Sequence, residues 1–205
     1  LTVEGCGALF ARAETQASSN YGIGSDGRIA LYVPEEQRSW ATSSKENDCR
    51  AVTIEVANNG GAPDWPVSDK AYQALIALVT DICRRNGIPK LLWKGDKALI
   101  GKVSEQNMTV HRWFANKACP GEYLYSRHGA IAAAVAGKFE KGGEERAVSD
   151  HGGHSRLCAA CGETVDCSRQ AEWQKREKRR PGLSYGVRPE RRHDSIDCHV
   201  GIMAQ

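Results

Sequence analysis

The run AVTIEVAN, which begins at Ala51, constrains the fold more than any other stretch of the chain. Its alternation and its β-branched residues predict a central strand over residues 51–57. Ser68 then stands where a helix cap belongs. Behind it Tyr72, Leu75, Ile76, Val79, Ile82 and Cys83 fall on one helical face, and Gly87 ends the helix. A strand followed by an amphipathic helix is the building unit of an α/β sheet. The surroundings agree. Residues 2–13 suit a short helix with Val3, Cys6, Leu9 and Phe10 on one side. NYGIGSDGRIALYV reads as two strands joined at Asp26-Gly27, KLLW as another short strand, and residues 122–139 as a last helix. The expected fold class is α/β, a central mixed β-sheet flanked by helices, with a poorly structured C-terminal extension.

Composition excludes some function classes. No apolar run approaches a membrane span; YQALIALV is typical of the longest. A formal net charge of +3 gives no reason to expect nucleic acid as a partner. Eight cysteines are scattered along 205 residues and do not read as a disulfide scaffold. The chain opens at Leu1 in what reads as mid-domain sequence, so a preceding segment is expected and export signals cannot be judged.

At Gly142-Gly143 the apolar periodicity fades, and residues 175–192 are crowded with Arg and Lys. This sets a first domain over residues 1–141 and a basic, Cys/His-containing tail over 142–205, expected to be disordered. In that tail His151, His154, Cys158, Cys161 and Cys167, with Cys198 and His199 further on, include one Cys-x-x-Cys pair. Such a pair could nucleate a structural zinc, but the spacings match no zinc-ribbon pattern.

The chemistry concentrates in TVHRWFANKACPGEYL. His111 and Cys119 are zinc-ligand types that one loop could bring to a single ion, with Lys117 beside them to hold an oxyanion. Pro120-Gly121 would stop the loop and launch the last helix. From spacing alone a second reading stands: His111 as a satisfied core histidine and Cys119 as a small buried apolar residue.

HRWFANKACPGEYL, taken with SNYGIGSDGRIALYV, RSWATSS and VTIEVAN, closely resembles the zinc-dependent N-acetylmuramoyl-L-alanine amidases. This is the type-2 family of bacterial autolysins and phage endolysins, related to peptidoglycan-recognition proteins; the resemblance runs over about residues 1–139. It implies a Zn2+ cofactor with His111 and Cys119 as ligands, and the third ligand, a histidine, expected upstream of Leu1, since none precedes His111. By the same resemblance one central strand is missing at the start of the chain. Lys117 matches the lysine that stabilises the transition state. Glu55 matches the strand glutamate that activates water, and Ser19 stands where other members carry a tyrosine for that task. Trp40 falls in a region beside the substrate cleft, and Asn58 is a second candidate for substrate contact. Glu55 can also be read as a surface residue on the far sheet face.

The implied activity is hydrolysis of the amide between N-acetylmuramic acid and L-alanine, by a monomer acting on bacterial peptidoglycan, secreted or released to the cell wall. The alternative is a catalytically inactive peptidoglycan-binding module that lacks a complete zinc site.

Overall fold

The computed structural model describes residues 1–144, 156–157, 164–165 and 199–204, with side chains for residues 1–139 and Gly201. Two compact units are present: Leu1–Gly143 with Pro189–Gln205, and Glu144–Arg188.

In the first unit Thr2 caps helix α1 (Val3–Phe10), accepting from the Gly5 N–H. Strands β1 (Tyr21–Ile23) and β2 (Ile29–Leu31) pair antiparallel. The connection is longer than a two-residue turn. Gly27 alone carries a positive φ, of 87°, and Asp26 Oδ1 accepts from the Arg28 N–H at 3.0 Å to shape the return. Helix α2 (Lys45–Arg50) runs straight into β3 (Ala51–Val56), in which every residue is buried. Ser68 caps α3 (Asp69–Arg85) as expected, and Gly87 follows it at φ 64°. Strand β4 (Met108–Thr109) leads to a 3-10 turn over His111–Trp113, and then comes α4 (Gly121–Glu144).

The KLLW segment is not a strand. Leu92 N–H donates to the Asn107 side-chain oxygen at 2.7 Å, and the Asn107 amide donates to Lys90 O at 2.8 Å. The Gln106 side chain accepts from Lys94 N–H and Asp96 N–H and donates to Asp96 O. Two side-chain amides therefore take the backbone groups that a strand ladder would have used.

Strand β7 (His199–Ala204) lies in the same sheet, whose order is β2-β1-β3-β7-β4. Only β2 runs antiparallel to its neighbour, so the sheet is mixed. These six residues fall within the tail set from residue 142. The histidines and cysteines from His151 to Cys198, and the basic run at 175–192, lie outside the described residues. In the second unit β5 (Arg156–Leu157) and β6 (Thr164–Val165) form an antiparallel pair.

Alternation along β3 divides the two sheet faces. Val52, Ile54 and Val56 join the main core with Leu75, Val79 and Ile82 of α3 and Leu124, Ile131 and Val135 of α4. Thr53 and Glu55 point the other way, toward α1 and the loop after β2.

Candidate functional site

Glu55 is the first unusual group. It is 8% exposed, its Oε2 has no hydrogen-bond partner, and burial pushes its carboxyl up to about 8. The surface-residue reading is therefore corrected: the far face of β3 is covered at this point. Gly22 of β1 pairs with Glu55, and a Cβ there would lie 2.5 Å from the Tyr32 hydroxyl oxygen. The missing side chain lets the Tyr32 ring cross the strand, and Tyr32 donates to Val3 O at 2.7 Å. Glu55, Tyr32, Gly22 and Cys6 line one small cavity with the first residues of α1.

His111 opens the turn that follows β4 and is half-buried. Burial, with the nearby Lys117 charge adding to it, lowers its pKa. Its Nε2 lies 3.5 Å from Ser43 Oγ, at the long limit of a hydrogen bond. Cys119 is half-buried too. Burial, and then the Glu55 charge, push its thiol up. Arg112 closes the loop between these two residues. Its backbone N–H donates to Cys119 O at 3.1 Å, and its guanidinium reaches Ala118 O at 2.7 Å and Glu122 at 2.6 Å. Lys117 is exposed on this loop. Behind the turn, Trp113 stacks on Trp93 at 5.1 Å, and Trp93 meets the buried His128 at 4.4 Å.

Trp40 sits on a loop fixed at both ends. The Asn20 side-chain amide donates to Val33, Pro34 and Gln37 carbonyls, and the Asp48 carboxylate accepts from Ala41 N–H, Thr42 N–H and the Thr42 hydroxyl. Trp40 itself is 38% exposed, with the Arg38 guanidinium 5.3 Å from its ring centroid. Ser43, at φ 65°, carries the loop to His111. Asn58 ends the β3 run in a bridge to Val67.

His111, Lys117 and Cys119 thus share one closed loop, and the Trp40 loop adjoins it through Ser43. Arg112, Ser43, Tyr32, Trp93 and His128 were not singled out from the sequence. Gly22 inside a strand was the one available signal, since such a glycine marks a close approach.

The implied zinc can be tested against these donors. Among the described residues no three His, Cys, Asp or Glu side chains come together as a metal-holding group. A catalytic zinc takes three protein ligands, and His111 with Cys119 supplies two. The described residues do not fit a complete catalytic zinc centre.

No helix among the described residues is long and apolar enough to cross a membrane. No curated protein and no solved structure matches the chain. The family model described as N-acetylmuramoyl-L-alanine amidase matches residues 3–122, and that span takes in Glu55, Trp40 and the whole closed loop from His111 to Cys119. A match over more than half of the chain, carrying the site as well as the sheet, makes this protein a member of the N-acetylmuramoyl-L-alanine amidase family.

Proposed function

We propose that the protein hydrolyses the amide bond between N-acetylmuramic acid and L-alanine in bacterial peptidoglycan, as a monomer at the cell wall. The observation that carries this reading is the buried carboxyl of Glu55 on β3, whose Oε2 has no partner, within the same amidase-matched span as His111, Lys117 and Cys119. In this reading ionised Glu55 takes a proton from the attacking water and returns it to the leaving amine of L-alanine. Water oxygen bonds to the carbonyl carbon as the C–N bond breaks, so charge and protons balance. Lys117, exposed on the same loop, holds the oxyanion that forms on the carbonyl oxygen. Trp40 offers a flat apolar face to sugar or stem peptide, and Asn58 is a further candidate contact. His111 and Cys119 are the residues that a metal would meet, and neither step above is routed through one.

The two-donor set favours a second reading, a module that binds peptidoglycan without cleaving it. Incubation with purified peptidoglycan separates the two. Hydrolysis releases new free amino groups at a rate that Glu55→Gln abolishes. Co-sedimentation with peptidoglycan, without new amino groups, would sink the hydrolase and leave the module.

A further inference from the structure

Strand β7 does something for the sheet that its place in the chain does not suggest. All six of its residues pair with β3, from Ala51↔His199 to Val56↔Ala204, and Val200 and Gly201 pair with Met108 and Thr109 of β4. Among the described residues it is the one strand that bridges β3, which carries Glu55, and β4, which leads into His111. The unit that holds it is discontinuous in sequence, since Glu144–Arg188 forms a compact unit of its own. The chain leaves this unit after Gly143 and returns to it at Pro189, ahead of β7.

The groove it fills makes specific demands. Every β3 residue is buried, so an empty groove would leave a row of N–H and C=O groups unpaired in the interior. A parallel strand meets that need. At its middle stands Gly201, with three side chains around it. A Cβ at Gly201 would lie 3.6 Å from Thr53 Cγ2, 3.6 Å from Thr109 Oγ1 and 3.9 Å from Ala51 Cβ. One methyl is accepted there as ordinary contact, and a branched side chain would press on the Thr53, Thr109 and Ala51 side chains. The cavity at the end of β3 is lined by Leu1, Thr2 and Val3 beside Val56, and Val56 pairs with Ala204. Both ends of the chain thus reach the same end of β3.

We propose that the groove between β3 and β4 is a strand-acceptor site, filled noncovalently by the chain's own residues 199–204 and equally able to take that segment as a separate peptide. Main-chain pairing supplies the affinity, and the small third residue of the strand, Gly201, supplies the selectivity. The segment acts as the spacer that sets β3 against β4.

The test uses the full chain with a protease site inserted between residues 166 and 188, cut after folding. Size-exclusion chromatography is expected to carry the C-terminal fragment with the rest of the protein. A fluorescent peptide of residues 189–205, in excess while the cut protein refolds from urea, is then taken up in its place. Its Gly201→Ala form binds comparably, and its Gly201→Val form about tenfold more weakly or worse. Separation of the fragment on cutting, with the circular dichroism of the remainder unchanged, would overturn the proposal. So would failure of uptake, or equal uptake of the Gly201→Val peptide. None of these readouts involves hydrolysis, so the result stands apart from the amidase reading.

Discussion

At the scale of single residues, Glu55 makes the sharpest claim. Burial disfavours the ion and pushes its carboxyl from an ordinary 4.5 up to about 8. The folded state therefore keeps a proton that the unfolded chain releases above pH 4.5. Stability from this group falls as pH rises from about 4.5 to 8, by on the order of 5 kcal/mol at most. Glu55→Gln should be more stable than the parent in urea titrations at pH 8.5, with the difference vanishing near pH 4.5. Hydrolysis should fall about 10²–10⁴-fold in the same variant. Since only the ionised carboxyl can accept a proton, the parent's rate should climb toward pH 8.

His128 has the opposite sign. Burial pulls its pKa down to about 4, and its Nδ1–H must be the donor to Leu124 O at 2.7 Å, because a carbonyl can only accept. Its contribution is lost as pH falls from about 6.5 to 4. Lys117 is exposed, so Lys117→Ala should leave the unfolding midpoint unchanged while lowering kcat about 10²-fold. The sequence did place Glu55 opposite its apolar neighbours, as strand alternation requires. It could not say that α1 and the Tyr32 ring cover that face, since this depends on a tyrosine crossing Gly22 from another strand.

Among the elements, the loop of His111 and Cys119 owes its shape to neighbours that spacing does not reveal. Gly121 follows Cys119 at φ 78°, and a Cβ there would lie 2.6 Å from Trp65 Cβ and 2.8 Å from Asp64 O. Gly121→Ala combines a strained backbone with a clash against main chain, and should cost about 2 kcal/mol or more in thermal or urea unfolding. The same clash should open the loop and speed alkylation of Cys119, read by mass spectrometry of the modified peptide. Asn107→Ala should cost about 2–3 kcal/mol, since it removes the bonds that replace a ladder at residues 90–92. KLLW looked like a strand because its composition is right for one. What decided otherwise is a pair of amide side chains, Gln106 and Asn107, that compete for the same backbone groups. Helix α3 was readable almost to the residue, because its cap, its apolar stripe and its terminal glycine all act locally.

For the molecule as a whole, the sheet joins residues from both ends of the sequence. β1, β2 and β3 could be read from local pattern, and the α/β class followed from β3 and α3 alone. β7 could not, because its segment lies beyond a stretch of different character and its partners are distant in sequence. The family match ends at residue 122, so β7 also falls outside the span that identifies the protein. Fold and family are thus established by the first two thirds of the chain, while the sheet is completed by its last residues.

The central claim is the bond that is cut, and the most direct test is mass spectrometry of purified peptidoglycan after incubation with the full chain. The account predicts stem peptides that begin with a free L-alanine amine, together with glycan strands whose N-acetylmuramic acid has lost its peptide, and neither product with Glu55→Gln. Cleavage at any other bond, or products that persist undiminished in Glu55→Gln, would contradict it.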